Sequence, residues 1–500
     1  MRSSMRRPVV LPLLAALASI RACTGAAEPI PVSVKALQPG AQVSRDLLGL
    51  SYETSAILPD ANGTHSFRPD NRPLVTVFRT LGIRSLRIGG NSVDSPTIPV
   101  PDEQDVRALF EFARAAGVRV IYSVRLQESV PSSASPGLAG AANAESAARM
   151  AKLIHEHDPD LLDCFAIGNE PGYYKDYAVY SAKWKAIRDA ILAVYPDAAF
   201  CGPDQNPSPD LTQRMVRDVG NPSGRLVQIT QHSYPFGCSY QNPGVAKSDV
   251  TQLIPLDAAA ARERMLSPAA YKVYEGIHEG IAAALSGTSV SYRLTETNTY
   301  WFSGLKGASD SYASALWALD YLHWWASHGA DGLNFHTGDY TGGDISMPCR
   351  YAVWVTSSRG YEVRPLGYGM KMFDLGGHGR VLQVAVPPGA NLAAYATLDG
   401  DTVAVTLIHK AHGAESQEQP VQIELDTSLA DRRAQVLFLR ARKDDIAGGS
   451  ADVTLGGSPI QEDGTWNGRW LLLPSGAVTD HAITLTLAPA SAAVVKAAIR

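Results

Sequence analysis

Two glutamates, Glu170 and Glu296, stand at the ends of segments that the sequence favours as buried strands. Residues 161–170 begin as an apolar run and stop at Glu170, where Pro171 disfavours both sheet pairing and helical geometry. Residues 291–298 likewise place Glu296 among polar neighbours at the end of a strand-like run. Burying a carboxylate at such a position costs free energy, so its presence there suggests a functional role. Two of them together suit acid–base and nucleophilic chemistry at one substrate atom. A helix-start acid or a surface ion pair is the alternative for Glu170.

The spacing of the two glutamates indicates the elements that position them. They are 126 residues apart, which corresponds to three βα units of roughly 40 residues. That distance places them on strands 4 and 7 of an eight-stranded parallel barrel, whose strands end at a common mouth. Strands 4 and 7 face each other across this mouth, so both carboxylates can approach one substrate atom.

The rest of the chain fits this barrel. Strand-like and helix-like segments alternate eight times, and the predicted strands are residues 47–53, 85–90, 118–126, 161–170, 198–204, 226–234, 290–298 and 332–338. After residue 375 short β runs separated by Gly, Asp, Asn and Pro replace the helices, which is typical of a β-sandwich. We therefore predict an α/β fold: a (β/α)8 TIM barrel over residues 46–375 with an accessory all-β sandwich. The sandwich comprises residues 376–500, joined by residues 28–45.

The two acidic motifs also carry a family resemblance. Ile-Gly-Asn-Glu-Pro at 167–171 and Leu-Thr-Glu-Thr-Asn at 294–298 resemble the acid/base and nucleophile motifs of clan A retaining glycoside hydrolases. Within that clan, the segments at 47–53, 86–92 and 231–234 are similar to glycoside hydrolase family 79, which holds β-glucuronidases and heparanases. The similarity spans about residues 30–500. It implies Glu170 as acid/base, Glu296 as nucleophile, a β-glucuronide as substrate, and no cofactor or metal.

The resemblance extends to neighbours of the two acids. It implies that Asn169 binds the sugar 2-hydroxyl and that Tyr234 donates a hydrogen bond to the nucleophile. His232, in the same segment as Tyr234, is a further predicted substrate-binding residue. The alternatives are a helix-capping role for Asn169, wall packing for Tyr234 and a structural buried histidine at position 232. Glu53 and Asn91 are expected at the 3- or 4-hydroxyl, with a structural role as the alternative.

A sugar carboxylate needs a separate partner. Arg125, at the end of predicted strand 3, is one candidate because guanidinium pairs well with carboxylates. Similar family members instead use tyrosines and backbone N–H groups after strand 8, which here implies Gly338 and Tyr340. Asp339 beside them would repel a carboxylate unless turned away, and many relatives carry Asn where this chain has Arg125.

The mouth loops favour removal of single terminal sugars. They are rich in aromatic residues, and we predict that one of them, Tyr300, binds the substrate. Three mouth segments hold only Lys175, Lys247 and Lys306 as cations. An endo-acting enzyme of the heparanase type would need more positive charge to hold a sulfated chain. Two further alternatives are an exoglycosidase for neutral sugars and a carbohydrate-binding surface protein without activity.

Residues 1–27 have the pattern of a secretory signal, with early arginines, an apolar stretch and small residues before Glu28. We therefore predict a secreted or periplasmic protein, with a lipid anchor on Cys23 as a less favoured alternative. Removal of this segment takes away four arginines and no acids, so the formal charge falls from −5 to −9. A chain this acidic is not expected to bind nucleic acid or an anionic membrane through bulk charge. The sequence gives no indication of oligomeric state.

Four cysteines follow the signal segment, and export permits disulfides. Three pairings are possible, and we favour Cys238–Cys349 in mouth loops, with Cys164 and Cys201 as core thiols. The chain contains no CxxC, HExxH, P-loop or GxSxG motif, which argues against zinc, nucleotide and serine-nucleophile chemistry.

Overall fold

The computed structural model describes residues 28–127, 136–206, 208–219, 225–241, 253–338 and 348–500, with the backbone alone over 136–141. The predicted signal segment with Cys23, as well as Tyr340, lie outside the described residues. Within the described ranges, no helix has both the length and the apolar character needed to cross a membrane.

The first strand, β1 (Ile30–Lys35), precedes a closed parallel barrel. The eight barrel strands found in the described part of the chain are β2 (Leu48–Glu53), β3 (Ser85–Gly89), β4 (Arg119–Val124), β5 (Leu162–Ile167), β6 (Phe200–Gln205), β7 (Leu226–Ser233), β8 (Ser291–Thr297) and β9 (Gly332–His336). They pair in chain order, and β9 closes the ring against β2. Nearly all of their residues are buried, since helices cover one face and the barrel interior the other. The predicted TIM barrel is confirmed.

Helices connect these strands. They are α1 (Arg72–Leu81), α2 (Glu103–Ala116), α3 (Pro136–His157), α4 (Tyr177–Val194), α5 (Pro209–Val219), α6 (Ala258–Leu266), α7 (Ala270–Leu285), α8 (Tyr312–Ser327) and α9 (Pro365–Gly376). Local sequence sets their ends. Asp102 caps α2 by accepting hydrogen bonds from the backbone of Gln104 and Asp105, and Gly117 ends it with a φ of 78°. Pro268 lies in the break between α6 and α7.

Helix α8 joins the barrel to the C-terminal domain. It is buried over almost its whole length, as expected of a helix that is apolar on all sides. The Tyr312 hydroxyl at its start donates to the Leu439 carbonyl of the C-terminal domain. Farther along, Asp320 forms a buried ion pair with Lys410 at 2.6 Å. The two domains therefore share a continuous interface along this helix.

The C-terminal domain is a β-structure, as predicted. Its strands are β12 (Arg380–Ala385), β13 (Leu392–Asp399), β14 (Thr402–His409), β15 (Gln419–Leu425), β16 (Gln435–Ala441), β17 (Val453–Leu455), β18 (Leu471–Leu472), β19 (Ala482–Leu487) and β20 (Ser491–Ala498). β1 lies between β12, to which it is antiparallel, and β15, to which it is parallel. Val32, Val405, Ile483 and Val495 from distant strands belong to one buried cluster, so the sheet folds over a common core.

An antiparallel hairpin, β10 (Trp354–Ser357) and β11 (Gly360–Val363), follows the last barrel strand and was not predicted from the sequence. It stands at the barrel mouth. Its two strands pair only with each other in the described structure, so contacts outside the sheets must hold the hairpin in position.

The predicted disulfide is wrong. The structure joins Cys164 of β5 to Cys201 of β6, and both Cys238 and Cys349 are thiols. Cys164 and Cys201 form a small buried cluster with Ile121 and Ala166, apart from the main helix-facing core. Adjacent strands bring the two cysteines to a Cα separation of 5.8 Å, which lies within the range that a disulfide spans.

Candidate active site

Glu170 lies just beyond β5, at the mouth of the barrel. Its backbone has a left-handed conformation with a φ of 45°, between Gly168 with a φ of 80° and Pro171. This turn directs the chain out of the sheet, and the Glu170 N–H donates to the Asp204 carbonyl at 2.7 Å. The carboxylate Oε1 accepts from Asn206 Nδ2 at 3.1 Å, and the side chain is 31% exposed. Solvent and substrate therefore reach this carboxylate.

Glu296 on β8 is held in a different environment. Its Oε2 accepts from Arg87 Nη1 at 2.8 Å, and its Oε1 accepts from the Tyr234 hydroxyl at 2.9 Å. Burial alone would raise the pKa of this carboxyl group. The charges of His336, His232 and Arg87, with the Tyr234 hydrogen bond, outweigh burial and hold the pKa well below its usual range. Glu296 is therefore an ionised carboxylate.

The two carboxylates are close enough to act on one atom. Ligand atoms of Glu170, His232 and Glu296 all lie within 4.8 Å of one another. A separation near 5 Å is typical of retaining glycosidases, whereas inverting enzymes need about 6.5–9.5 Å. The same three side chains could together ligate a cation. Arg87 at 2.8 Å from Glu296 opposes this, because a second positive charge there would be repelled.

His232 bridges the two acids from the buried side. Its Nδ1 lies 2.9 Å from Glu170 Oε1 and 3.8 Å from Glu296 Oε2. Its Nε2 has no hydrogen-bond partner and lies 3.9 Å from Asp204 Oδ1. The histidine is fully buried, so it reaches both carboxylates from beneath the cleft.

Arg87 organises the floor of the site, a role that was not predicted from the sequence. This fully buried residue of β3 contacts Glu296, Asp204 Oδ2 at 2.9 Å, Asn169 Oδ1 at 2.6 Å and Ser51 Oγ at 3.0 Å. Burial opposes its charge, but the two carboxylates outweigh burial and raise its pKa. The sequence feature that could have indicated this role is a charged residue in the middle of an apolar strand-like run.

Asn169 is fixed on three sides. Its Oδ1 accepts from Arg87, its backbone N–H donates to Asp94 Oδ2 at 3.1 Å, and its Nδ2 donates to Asn91 Oδ1 at 3.3 Å. The amide orientation follows from the Arg87 contact, since guanidinium only donates. Asn91 is exposed and lines the cleft.

Glu53 and His336 form the opposite wall. Glu53 accepts from the backbone N–H of Ser92 at 2.7 Å and of Asn91 at 3.3 Å, and lies 3.6 Å from His336 Nε2. Burial tends to raise the pKa of Glu53, but His336 lowers it overall. Burial tends to lower the pKa of His336, but Glu296 and Glu53 raise it overall. His336, at the end of β9, is a site residue that the sequence argument did not identify.

These side chains line a cleft of about 850 Å³. The cleft also includes the predicted residues Tyr234 and Gly338. Among the described residues that line it, none is lysine or arginine, whereas Glu53, Glu170 and Glu296 are acidic.

Two predicted site residues lie elsewhere. Arg125 donates to the backbone carbonyls of Val93 at 2.7 Å, Ser95 at 2.9 Å and Ile98 at 2.7 Å, and does not line the cleft. Its guanidinium therefore stabilises a loop instead of facing a sugar. Tyr300 is fully buried and donates to the Ala261 carbonyl, while the next residue, Trp301, lines the cleft.

Comparison with known proteins identifies related folds. No family model and no curated protein sequence matches the chain. A solved 4-O-α-L-rhamnosyl-β-D-glucuronidase from Fusarium oxysporum 12S has a TM-score of 0.61 and 19% identity, over 91% of this chain and 97% of its own. The GH51 arabinofuranosidase from Xanthomonas axonopodis pv. citri has a TM-score of 0.60 and 16% identity, over 94% of this chain and 99% of its own. A monomeric β-xylosidase from Caulobacter crescentus CB15 has a TM-score of 0.58 and 14% identity, over 94% of this chain and 99% of its own. The chain thus shares the fold of these glycoside hydrolases.

Proposed function

We propose that this protein is a retaining β-glycosidase that releases terminal β-D-glucuronic acid from its substrates. One observation carries the glycosidase assignment: Glu170 and Glu296 lie within 4.8 Å of each other in contrasting environments. Glu296 is buried and kept ionised by its neighbours, whereas Glu170 faces the cleft. A nucleophile and an acid/base need this difference.

The geometry supports a double displacement. In the first step Glu296 Oε attacks the anomeric carbon, and Glu170 gives its proton to the departing glycosidic oxygen. The product is a glycosyl ester on Glu296 and a free alcohol. In the second step Glu170 takes a proton from water, whose oxygen attacks the same carbon and restores the Glu296 carboxylate. Two inversions leave the β configuration unchanged.

The choice of glucuronic acid rests on the motif resemblance to family 79 and on Gly338 at the cleft. In this proposal the backbone N–H of Gly338 receives the sugar carboxylate in place of a cationic side chain.

A neutral sugar is the second candidate, favoured by the absence of lysine and arginine from the described cleft lining. Three carboxylates around a cleft repel an anionic ligand unless donors compensate. Comparing 4-nitrophenyl β-glucuronide with the β-xyloside and β-glucoside separates the two candidates. A higher kcat/KM on a neutral glycoside would reject the glucuronidase proposal.

The roles of the two acids are tested by substitution. Glu296→Gln should abolish turnover. Glu170→Gln should slow oligosaccharide hydrolysis strongly but affect activated aryl glycosides less, because a good leaving group needs little protonation. Equal losses on both substrate types would contradict the role of Glu170 as acid. Binding of glucuronides without any turnover would instead support a carbohydrate-binding protein.

We further propose that the protein acts outside the cytoplasm. The signal-like pattern of residues 1–27 supports this. The Cys164–Cys201 disulfide is consistent with it, since such bonds persist mainly in oxidising compartments.

A further inference from the structure

Three consecutive residues at the end of β6 each contact the turn that carries Glu170. The Asp204 carbonyl accepts from the Glu170 N–H at 2.7 Å, and Gln205 Oε1 accepts from the Gly172 N–H at 2.8 Å. Asn206 Nδ2 donates to Glu170 Oε1 at 3.1 Å. The first two contacts position the backbone of the turn, and the third reaches the carboxyl group itself.

Asn206 and His232 approach the same oxygen of the acid. The His232 Nδ1 lies 2.9 Å from Glu170 Oε1, the atom to which Asn206 donates. Among the described residues, none donates a hydrogen bond to Glu170 Oε2. The Asn206 NH2 group can only donate, so a proton on Oε1 would point against another hydrogen. The acid therefore carries its proton on Oε2, and Oε2 is the oxygen that reaches the glycosidic bond.

The position of Asn206 places it beside the leaving group. A general acid lies within hydrogen-bond reach of the atom that it protonates, so the leaving group must lie against Glu170. Of the described residues that line the cleft, Asn206 alone hydrogen-bonds to Glu170, and its side chain is exposed. Its Oδ1 accepts no hydrogen bond from a described residue. This oxygen is therefore an acceptor that a bound leaving group can use.

We infer that Asn206 selects the leaving group, because its Oδ1 accepts a hydrogen bond from a hydroxyl next to the cleaved bond. This hydroxyl is on the carbon adjacent to the one that bears the glycosidic oxygen. The substrates are then glycosides of sugars or other polyols. The inference rests on the proposed function, which concerns the terminal sugar alone.

The arrangement of the two side chains fits a pair of neighbouring oxygens on the leaving group. Asn206 Oδ1 and Glu170 Oε2 belong to two planar groups that a single hydrogen bond joins. The glycosidic oxygen can therefore take the Oε2 proton while a hydroxyl on the adjacent carbon donates to Oδ1. A leaving group without this hydroxyl leaves Oδ1 without its donor.

The Asn206 amide also assists the acid itself. When the proton leaves Oε2 for the departing oxygen, Glu170 becomes a carboxylate and the hydrogen bond from Asn206 becomes charge-assisted. The other titratable groups that face Glu170 are His232 and Tyr234 from β7 and Glu296 from β8. Loss of the Asn206 donor should consequently make the acid hold its proton to higher pH.

Two substitutions separate the donor of the amide from its acceptor. Asn206→Ala removes both groups, and Asn206→Leu, which has nearly the shape of Asn, replaces it if that variant does not fold. Asn206→Asp keeps an acceptor oxygen but removes the donor and adds a negative charge. Asn467→Ala and Asn467→Asp, at an exposed position of the C-terminal domain, are the matched controls.

The substrates are 2-hydroxyethyl β-D-glucuronide and 2-fluoroethyl β-D-glucuronide. Fluorine is close to a hydroxyl in size but cannot donate a hydrogen bond, and it makes the alcohol the better leaving group. A slower reaction of the fluoro compound therefore reports the missing donor. The wild type and both controls should prefer the hydroxyethyl compound roughly 3- to 10-fold in kcat/KM, as expected of one net hydrogen bond.

Asn206→Ala should lose this preference, whereas Asn206→Asp should keep it. In both variants the basic limb of kcat/KM should move to higher pH, because the ionised acid has lost a donor. The movement should be larger for Asn206→Asp, which also places a like charge beside the acid. A side chain with only a structural role would not separate the preference from the pH profile in this way.

Hydrolysis of both compounds without a preference, or with a preference that Asn206→Ala retains, would overturn the inference alone. Hydrolysis of 4-nitrophenyl β-D-glucuronide but of neither alkyl glucuronide would do the same, since it would exclude polyol leaving groups. Absence of turnover on all three compounds would overturn the proposed function, and this inference with it.

Discussion

The Tyr234 hydroxyl donates a hydrogen bond to Glu296 Oε1 at 2.9 Å, from the end of the neighbouring strand. Burial raises the pKa of Tyr234 well above its usual value, and the charge of Glu296 adds to this, so the hydroxyl keeps its proton and remains a donor. This contact is one reason why Glu296 is ionised in a buried position.

Tyr234→Phe should therefore raise the pKa of Glu296. A nucleophile must be ionised, so activity is lost as pH falls through its pKa, and the acid limb of kcat/KM should move to higher pH. Loss of a charged hydrogen bond of about 1.5–3 kcal/mol should also lower kcat roughly 10- to 100-fold. A pH–rate profile of both proteins measures this, and an acid limb that stays in place or moves downward would count against the assignment.

Arg87→Met should destabilise the fold as well as the site. The substitution leaves the carboxylates of Asp204 and Glu296 buried without their cation. Removing one partner of a buried ion pair lowers the free energy of unfolding by about 3–5 kcal/mol. Arg84→Met, at an exposed position three residues earlier, should change stability by less than about 0.5 kcal/mol. Urea unfolding measures both, and equal small changes would show that Arg87 is dispensable.

His336 should make stability depend on pH. Its pKa in the folded protein is raised, chiefly by the charge of Glu296 and the contact with Glu53 acting against burial. Its stabilising contribution is then fully present below about pH 6.5, its unfolded value, and is lost as pH rises through the folded value. The difference in unfolding free energy between wild type and His336→Gln should therefore shrink as pH rises from about 6.5 through the folded pKa of His336. A constant difference across urea titrations at several pH values would disprove the linkage.

Glu462 of the C-terminal domain should hold the β10–β11 hairpin at the cleft. Its carboxylate accepts from Ser357 Oγ at 2.7 Å and from Arg359 Nε and Nη2 at 3.1 and 2.9 Å. Its carbonyl accepts from the Tyr361 N–H at 2.7 Å. Tyr361 lines the cleft, so a C-terminal residue positions part of the cleft wall.

Glu462→Ala should consequently raise KM more than it lowers kcat. It should also let trypsin cleave after Arg359, at the exposed tip of the hairpin, about fivefold faster. Glu415→Ala, an exposed position elsewhere in the same domain, is the control for both measurements. Unchanged cleavage and unchanged KM would mean that the hairpin holds its place without Glu462.

The sequence was informative where chemistry and strand ends coincide. Glu170 and Glu296 were predicted as a pair because a barrel brings strand ends to one mouth, and the structure places them together. The cysteines are a counter-example: Cys238–Cys349 was the predicted pair, although the same barrel order makes β5 and β6 neighbours and so brings Cys164 beside Cys201.

Contacts that depend on loop geometry could not be predicted from the sequence pattern. Tyr300 faces the core while Trp301 faces the cleft, and no periodicity decides between adjacent residues in a loop. Arg125 has the right charge for a sugar acid, but nearby carbonyls already accept its hydrogen bonds. Arg87 was not predicted as a site residue, although a charge within an apolar strand-like run indicates a buried partner.

The most direct test of the central claim is the configuration of the sugar at the moment of its release. Hydrolysis of 4-nitrophenyl β-D-glucuronide, followed by proton NMR before mutarotation, identifies the first anomer formed. Attack by Glu296 and then by water predicts that β-glucuronic acid appears first and that the α anomer grows in later. If the α anomer appears first, the reaction proceeds by a single inversion, and Glu296 does not form a glycosyl ester.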